Sequence, residues 1–514
     1  MTLADIQSIL PVFFLVVWAV LLLVADLFIA HEKKGLTALL AALGLAIALG
    51  INLGQAGVST SGFGGMVTLD GFALFLNVIY LSSGLVAIAL AHDYLKRMNL
   101  ERGEYFTLML FSIAGMMLLS EAANLIMVFL AIEFLSIPLY VLSGLARPRL
   151  DSEEAALKYF LLGTFSSAFL LYGVALIFAA TATTSLAGIV AAVQAGAANQ
   201  GLLIAGALFT LVGFGFKVSA VPFHEWAPDV YQGAPTPVSS FMAVAVKAAG
   251  FAALIRVFMT AFPSLAATLV PVAWVIAALT MIVGNVLAVS QTNLKRMLAY
   301  SSISHAGYIL MAFAAYGTPS AMSNAVAAML YYLVAYGIST FGAWAVVIAL
   351  EYSEGKGLEL EDSAGLGQKY PWMGLAMLVF MLSLAGVPLT IGFWGKFFLI
   401  RSAIDAGNIA LAIITVMTSL ISAYYYLRVV VYMFMRSGEP RVRRDGYSAV
   451  RGDLIPGLRA TAAPIFDLQG EAVFTATVLA TEVFRPEQDD QARDRLIEVC
   501  DQITAATGGI RPQV

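Results

Sequence analysis

Charged residues and cysteine are scarce in this sequence. Only 12% of its 514 residues are charged, whereas 60% are hydrophobic. Soluble domains carry roughly 25% charged and about 45–50% apolar residues, so a soluble protein with this composition would lack a polar surface. The composition therefore predicts a protein that lies in a lipid bilayer.

The same scarcity excludes several kinds of binding site. Cys500 is the only cysteine, which rules out internal disulfides and leaves too few thiolates for an iron–sulfur cluster or a structural zinc site. The four histidines are not grouped at the spacing of metal ligands, and no Walker motif or dinucleotide fingerprint is present. With 28 Lys and Arg against 32 Asp and Glu, no basic surplus indicates nucleic acid. We predict no cofactor, metal ion or nucleic acid on this chain.

Apolar runs long enough to cross a membrane are abundant. A spanning helix needs about 20 mostly apolar residues. We predict an all-α integral membrane protein with about thirteen spanning helices, near residues 9–30, 36–54, 70–91, 105–120, 123–142, 157–180, 202–221, 238–260, 269–289, 297–317, 324–350, 372–403 and 408–435.

Basic residues mark alternate loops between these runs. The marked loops contain Lys33, Lys34, Lys96, Arg97, Arg102, Arg147, Arg149, Lys295, Arg296, Lys356, Lys369, Arg436 and Arg441. The intervening loops, such as 55–69, 181–201 and 318–323, contain none. Because loops on the inner side carry the excess of Lys and Arg, the pattern places the N-terminus outside and residue 436 onward inside.

Several charged residues lie inside the predicted spans, and four of them are singled out. Such a charge costs about 2.5–3.5 kcal/mol on insertion scales and is a functional hypothesis by default. Glu133 and Lys247 are in the middle of their spans, where snorkelling to the interface is difficult, and Lys217 and Lys396 lie next to helix interruptions. A structural ion pair inside the bundle is the alternative explanation. We predict that these four residues transfer protons.

Proton transfer explains these residue types better than metal or sodium binding. A lysine side chain removed from water loses affinity for its proton, so it can be loaded and unloaded near neutral pH. A nearby carboxylate such as Glu133 restores that affinity, and a change in its influence would switch the lysine between holding and releasing the proton. Sodium needs several oxygen ligands, and lysines would repel it.

Four further titratable residues belong to the predicted path with weaker support. Lys158 and Lys295 lie near span ends, where snorkelling is an equally good explanation. His224 is placed to relay a proton from the inner side, with an ordinary polar loop residue as the alternative. His305 lies in a serine-rich stretch that would accommodate water.

Pro222 and Pro388 interrupt two predicted helices, each close to a buried lysine. Counted from the fourth span, the interruptions fall in the fourth helix of each of two five-helix blocks. Because five is odd, successive blocks enter the membrane from opposite sides, which predicts an inverted repeat. Single proline kinks are common in membrane helices, but a matched pair is a useful indicator of an ion path.

Three segments resemble a known family. Residues 215–243 (GFKVSAVPFHEWAPDVYQGAPTPVSSFMA), 293–310 (NLKRMLAYSSISHAGYIL) and 384–397 (LAGVPLTIGFWGKF) look like the antiporter-like subunits of respiratory complex I, the proton-translocating NADH–quinone oxidoreductase. Within that family, the WAPDVYQGAPTP string and Lys396 resemble subunit N. The resemblance extends over about residues 5–435.

The resemblance implies a fold and a proton path. It implies fourteen helices, with two inverted five-helix repeats after three N-terminal helices. An inner half-channel would end at Lys217 paired with Glu133, and Lys247 would pass the proton to Lys396 and an outer half-channel. His224, Lys158, Lys295 and His305 match positions associated with the connecting path. The predicted segments are 1–104 (three helices), 105–260 (first repeat), 261–435 (second repeat) and 436–514 (polar tail of uncertain fold).

The resemblance also implies a translocase subunit without a redox site of its own. Quinone, the substrate of the complex, would be reduced by NADH in partner subunits that hold FMN and iron–sulfur clusters; a photosynthetic relative could take ferredoxin in place of NADH. The implied partners are neighbouring antiporter-like subunits, the peripheral redox arm and the lipid of a bacterial cell (inner) membrane. A multisubunit cation/proton antiporter of the same fold is the alternative. The buried lysines disfavour a purely structural scaffold.

The C-terminal part departs from the family pattern. The family ends with a further apolar helix, and no such run lies between residues 440 and 514. The stretch 471–484 is apolar but short and contains Glu471 and Glu482, so we predict an interfacial or loosely ordered tail. Either the final helix is replaced by this tail, or the reading frame diverges near residue 445.

Overall fold

The chain divides into two compact units, Met1–Pro440 and Arg441–Val514. The computed structural model describes residues 2–30, 33–351, 355–438, 440, 448–451, 458–466, 472–481 and 486–506.

The first unit is a bundle of α-helices with one short β-hairpin. In the hairpin, β1 (Thr60–Gly62) pairs antiparallel with β2 (Val67–Leu69). The described helices are α1 (Leu3–Asp26), α2 (Gly35–Gly54), α3 (Gly71–Arg97), α4 (Gly103–Glu121), α5 (Leu125–Ser143), α6 (Leu150–Thr181), α7 (Leu186–Gln194), α8 (Gln200–Lys217), α9 (Trp226–Gly233), α10 (Thr236–Phe241), α11 (Lys247–Ala261), α12 (Ala266–Val289), α13 (Leu294–Phe313), α14 (Pro319–Leu350), α15 (Leu366–Lys369), α16 (Pro371–Ala385), α17 (Ile391–Asp405) and α18 (Ile409–Met435).

The predicted all-α membrane architecture is confirmed, but the count of thirteen spans is not. Among the described residues, 11 helices are long and apolar enough to cross a membrane. The predicted span 297–317 corresponds to α13, whose serine, histidine and tyrosine residues make it too polar to qualify. The predicted span 372–403 is divided into α16 and α17, which have 15 residues each.

Polar caps fix where several helices begin. The side chains of Asp70, Asn124, Asn293 and Thr390 accept hydrogen bonds from backbone N–H groups in the first turns of α3, α5, α13 and α17. Each cap satisfies donors that have no partner within the helix. The helices that carry the candidate residues therefore start at defined positions.

Burial separates interior helices from peripheral ones. Thr236–Ala261, which includes α10 and α11, is buried over most of its length, and α4 is mostly buried. By contrast α1, α2, α6 and α18 expose large apolar side chains; Phe165 of α6 is 63% exposed and Leu420 of α18 is 64% exposed. An apolar exterior of this extent suits contact with lipid or with other membrane subunits.

The helices after α3 recur in one order. Three helices (α4 to α6) and the short helix α7 are followed by the broken pair α8–α9 and the long buried helix α10–α11. Three more (α12 to α14) and the short helix α15 are followed by the broken pair α16–α17 and the long helix α18. Pro222 lies between α8 and α9, and Pro388 lies between α16 and α17.

The second unit contains a three-stranded antiparallel sheet and a helix. The strands β3 (Ser448–Arg451), β4 (Leu458–Phe466) and β5 (Ala472–Thr481) pair in that order, and α19 (Pro486–Ala506) follows. The apolar stretch predicted as a tail therefore forms a strand where its Val, Phe and Thr residues favour extended backbone. Glu471 and Glu482 lie outside the described residues, and the described part of this unit contains no candidate membrane span.

Candidate functional site

Lys217 is the last residue of α8 and lies inside the bundle. It is 5% exposed, and its Nζ donates a hydrogen bond to Ser136 Oγ of α5 at 2.7 Å. Ser136 lies one turn after Glu133, whose Oε1 accepts a hydrogen bond from Ser167 Oγ of α6. No direct ion pair joins Glu133 to Lys217 in the described structure. The Lys217 ammonium group thus binds a serine hydroxyl of the helix that also carries Glu133, while the Glu133 carboxylate binds a different serine.

Aromatic rings surround the Lys217 ammonium group. Its Nζ is 5.9, 5.8 and 5.7 Å from the ring centroids of Tyr140, Tyr159 and Phe216. Trp226 of α9 stacks on Tyr159 with centroids 4.7 Å apart. Ring faces attract a cation without forming a fixed ion pair, so this pocket accepts a charged lysine in an otherwise apolar interior.

The chain breaks immediately after Lys217. Ser219 takes a left-handed backbone conformation (φ 59°), and Pro222 lacks the N–H needed to continue a helix. Trp226 Nε1 donates to Phe216 O at 3.0 Å, which satisfies a carbonyl at the end of α8. Val221 N donates to Thr280 Oγ1 of α12 at 3.0 Å. The first break is thus held by a residue of the second helical series, the helices α12 to α18 that repeat the order of α4 to α11.

Lys247 follows a π-helical turn, Met242–Val246. Such turns insert one extra residue into a helix and occur frequently at functional sites. Lys247 is 2% exposed, and its Nζ donates to Ser302 O of α13 at 2.7 Å. A Cβ added to Gly250 would lie 3.4 Å from Lys217 Cβ. The lack of a side chain at Gly250 lets the helix that carries Lys247 pack directly on Lys217.

His305 lies one turn beyond Ser302 on α13 and is 3% exposed. Its Nδ1 shares a hydrogen bond of 2.5 Å with Tyr332 OH, and its Nε2 shares one of 3.0 Å with Tyr426 OH. Tyr336 OH donates to Ser302 Oγ at 2.9 Å. A neutral imidazole donates from one nitrogen and accepts at the other, so this ring can accept a proton on one side and release one on the other.

Lys396 lies in α17, beyond the second break, and is 5% exposed. Its Nζ donates to Ala385 O at 2.9 Å and to Ser419 Oγ at 3.3 Å, and lies 4.7 Å from the Tyr308 ring centroid. Ala385 is the last residue of α16, so the ammonium group lies at the negative end of that helix dipole. Gly386 has φ 86°, and a Cβ there would lie 2.8 Å from Lys396 Cδ. Glycine is required here both for the backbone and for the lysine.

Lys158 belongs to a partly exposed ion-pair group instead. Its Nζ lies 2.6 Å from Glu154 and 2.7 Å from Asp229 of α9, and Arg296 of α13 lies 2.7 Å from the other Asp229 oxygen. Burial raises the pKa of Asp229, but the hydrogen bonds and charges of Lys158 and Arg296 outweigh it and hold the pKa below its usual value. Asp229 thereby connects α6, α9 and α13.

Lys295 and His224 lie in surroundings different from those of the other buried lysines. Lys295 is fully buried and donates to Ala234 O at 2.6 Å. His224 is half-buried in the segment between α8 and α9. The described contacts bring Lys217, Lys247, His305 and Lys396 into one row, and they leave Lys158, Lys295 and His224 beside it.

Glu351 is a buried acid that sequence reasoning missed. It is fully buried directly after α14, where Oε1 accepts from Tyr94 OH at 3.3 Å and from Gly355 N at 2.8 Å. Oε2 accepts from Thr236 Oγ1. A charge that follows an apolar run normally lies at the interface, so no sequence signal distinguishes this one.

The tyrosines around His305 were also missed. Tyr332 and Tyr336 are four residues apart on α14, a spacing that places both on one helix face and could have indicated a polar stripe. Tyr426 lies in a mostly apolar helix, and only the packing of α18 against α13 brings it to His305.

Comparison with known proteins identifies the family. Residues 122–422, more than half of the chain, match the family model described as NADH:quinone oxidoreductase/Mrp antiporter, transmembrane. The NADH-quinone oxidoreductase subunit N of Chloroflexus aggregans is 46% identical, over 85% of this chain and 90% of the relative.

Solved structures agree with this family. A chain of respiratory complex I from Thermus thermophilus, solved with bound aureothin, has a TM-score of 0.70 and 32% identity and covers 97% of each chain. A chain of the Mrp complex from Dietzia has a TM-score of 0.75 and covers 86% of this chain and 82% of its own, but its 24% identity shows the shared fold alone. The resemblance seen in the three sequence segments is confirmed, and the chain belongs to the antiporter-like membrane family that includes NADH-quinone oxidoreductase subunit N.

Proposed function

We propose that this chain is a proton-translocating membrane subunit of a complex I type NADH–quinone oxidoreductase. The observation that carries the proposal is the row of buried lysines. Lys217, Lys247 and Lys396 are each at most 5% exposed, and each donates to a hydroxyl or carbonyl oxygen in place of a carboxylate. A lysine held in this way can lose its proton without leaving a buried carboxylate unpaired.

The proposed path begins at the first break. A proton from the inner side reaches Lys217, with His224 beside the entry. Glu133 favours the charged lysine through its negative charge one helical turn from Ser136. When that influence weakens, Lys217 releases its proton toward Lys247, whose helix packs against it at Gly250.

The proposed path continues along α13. Lys247 contacts the Ser302 carbonyl, and His305 follows one turn later with a tyrosine hydroxyl on each ring nitrogen. Tyr332 contacts Gly395, the residue before Lys396, since a Cβ at Gly395 would lie 2.7 Å from its ring. His305 would take up a proton at one nitrogen, release one from the other, and pass it to Lys396. Lys396 would then release the proton toward the outer side.

The rest of the assembly follows from the relatives. We place electron transfer, FMN and iron–sulfur clusters in partner subunits, quinone as the substrate of the whole complex, and no cofactor in this chain. Neighbouring antiporter-like subunits would cover part of the exposed apolar exterior. The alternate basic loops support an N-terminus outside and residue 436 onward inside, in a bacterial inner membrane. Segments 105–260 and 261–435 would be the two inverted repeats.

The direct test measures quinone reduction and proton uptake together in inverted membrane vesicles that contain the whole complex. Lys217→Ala is expected to impair both, because the proton path would lose a titrating group. Lys356→Ala, which changes an exposed loop lysine, is the control and should behave like the wild type. Unchanged proton uptake in Lys217→Ala would contradict the proposal.

The alternative function is that of a subunit in a multisubunit cation/proton antiporter, which the fold alone also permits. Two observations separate the functions. Copurification with flavin and iron–sulfur subunits supports the oxidoreductase, whereas sodium-driven proton exchange by the reconstituted protein supports the antiporter.

A further inference from the structure

A second polar cluster lies inside the bundle, apart from the lysine row. Its central residue is Glu121, the last residue of α4, which is fully buried. Asn77 Nδ2 of α3 donates to Glu121 Oε1 at 3.0 Å and to Asn52 Oδ1 of α2 at 3.1 Å. Glu121 Oε2 and Asn77 Oδ1 are buried without a hydrogen-bond partner. The cluster thus contains two buried acceptor oxygens for which no donor is described.

These contacts favour a protonated Glu121. An ionised carboxylate in an apolar interior is stable only when it is paired with a cation or well supplied with donors. Glu121 receives one donor and forms no ion pair in the described structure. A proton on Oε2 would remove the buried charge and supply a donor to a cluster that lacks one.

An ion pair lies next to the segment that carries Glu121. Arg256 of α11 binds Asp70 through both Nη atoms at 2.6 and 2.8 Å, and its Nε and Nη2 donate to Ser120 O at 3.1 and 2.9 Å. Ser120 directly precedes Glu121. The Asp70 side chain is 28% exposed, whereas that of Arg256 is 13% exposed. Arg256 therefore binds a carboxylate that reaches solvent and, at the same time, the carbonyl of the residue that precedes the fully buried Glu121.

The charge of Arg256 keeps Asp70 ionised. Burial raises the pKa of Asp70, but the hydrogen bonds and charge of Arg256 outweigh it and hold the pKa below its usual value. The other titratable group facing the cluster is Tyr80 of α3, whose OH shares a hydrogen bond of 2.8 Å with Ser120 Oγ. The hairpin β1–β2 covers the site, since Val67 pairs with Ala122.

We propose that Glu121 is a second proton-binding site and that Arg256 exchanges between Asp70 and Glu121 as the proton leaves toward the outer side. This inference rests on the proposed function and adds a site outside the lysine row. The neutral acid Glu121 loses its proton and becomes a carboxylate, to which Arg256 moves. Asp70, released by Arg256, takes up the proton and passes it to outer water. One proton moves, one ion pair replaces another, and the cluster returns to its first state when Glu121 is reprotonated from within.

The test uses the whole complex reconstituted in liposomes, with two measurements. Infrared difference spectra of wild type against Glu121→Gln, recorded at neutral pH, report whether residue 121 contributes the carbonyl band of a protonated carboxylic acid. The ratio of protons pumped to NADH oxidised reports transport. Glu121→Gln keeps the size and the hydrogen bond of the side chain but cannot titrate, and Asp70→Asn tests the receiving carboxylate separately.

Both variants are expected to lower the pumping ratio, since removal of a proton-transfer group commonly slows its step by about 100-fold or more. The protonated-acid band should be lost in Glu121→Gln and retained in Asp70→Asn. Arg256→Lys should lower the ratio, whereas Arg428→Lys, which changes an arginine bound to the carbonyls of Val289 and Gln291, should not.

An unchanged ratio in Glu121→Gln, or a band that persists in it, would overturn this inference. If Lys217→Ala also pumps normally in the same preparation, the proposed function itself fails. If Lys217→Ala is impaired and Glu121→Gln is not, only the second site is wrong.

Discussion

The two broken helices place a lysine at the same kind of helix end in different ways. In the first break, Lys217 is itself the last residue of α8. In the second, Lys396 belongs to α17 and reaches back to the carbonyl of Ala385, the last residue of α16. The carboxyl end of a helix favours a cation. Both breaks therefore combine a helix end with a buried lysine, although the lysine lies before one break and after the other.

The surroundings of the two lysines differ in charge. Lys217 has Glu133 one turn from its serine partner and three aromatic rings nearby. The Lys396 ammonium group contacts a backbone carbonyl, a serine hydroxyl and one aromatic ring. None of these described contacts is with a carboxylate. A side-chain carboxylate can influence the proton affinity of the lysine in the first break, whereas a backbone carbonyl and a hydroxyl contact the lysine in the second. The first break is thus suited to control and the second to release.

The largest effect is expected from the release side of this comparison. Lys396→Arg keeps the positive charge but cannot release a proton at accessible pH, and Lys396→Met removes the charge. If Lys396 transfers protons, both variants should slow pumping by about 100-fold or more. Proton uptake by inverted vesicles measures this. Recovery of pumping in Lys396→Arg but not in Lys396→Met would instead indicate a structural cation.

A smaller effect is expected from the carboxylate that only the first break has. Glu133→Gln keeps the hydrogen bond with Ser167 and removes the charge. A charge one helical turn away contributes roughly 2 kcal/mol in a partly screened interior, so pumping should fall by about 10- to 30-fold. Glu133→Asp, which retains the charge, is the matched control. Equal pumping in Glu133→Gln and wild type would remove the distinction between the two breaks.

Backbone geometry at the second break gives a still smaller effect. Gly386→Ala places a side chain at φ 86° and 2.8 Å from Lys396 Cδ, whereas Gly407→Ala meets a similar φ of 77° with nothing within 4 Å. Left-handed backbone costs either alanine about 1–2 kcal/mol. Both variants should lower thermal stability, but only Gly386→Ala should also slow pumping several-fold, because it displaces the lysine. Equal pumping in the two variants would show that the Lys396 position tolerates displacement.

The sequence indicated which lysines are candidates because charged residues are rare in segments that lie in lipid. Lys217 and Lys247 are isolated charges in apolar runs, and Pro222 and Pro388 mark the segments where helices end. The count of thirteen spans is not confirmed, because one predicted span is more polar than a lipid-facing helix. The segment around His305 is too polar to resemble a lipid-facing helix, although other helices surround it, and burial among helices cannot be read from hydropathy.

Side-chain partners required the fold. Glu133 was expected to pair with Lys217, whereas the described contact of Lys217 is with Ser136 and that of Glu133 is with Ser167. Lys158 was predicted as a path residue from its position near a span end, and only the fold shows that it binds Asp229 at a partly exposed position. Glu351 and Glu121 each end an apolar run, where a charge normally lies at the interface, yet both are fully buried. Contacts between residues far apart in sequence decide these cases, and no local pattern records them.

The smallest effect concerns the contact that joins the two helical series at Asp229. Asp229→Asn removes a carboxylate that binds Lys158 and Arg296, but its side chain is 32% exposed, so the loss should be about 0.5–1 kcal/mol at neutral pH. Because the folded pKa of Asp229 is lowered, its stabilisation is present above the usual carboxylate pKa and lost as pH falls through the folded value. The thermal unfolding temperature of the purified complex should therefore differ between the variant and the wild type at neutral pH and become equal in acid.

Asp405→Asn, which breaks a single longer pair with Arg401 at 3.9 Å, is the control and should change the unfolding temperature little. A difference that persists in acid would mean that Asp229 acts through packing and not through its charge, and the two series would then be joined mainly by contacts such as Val221 with Thr280.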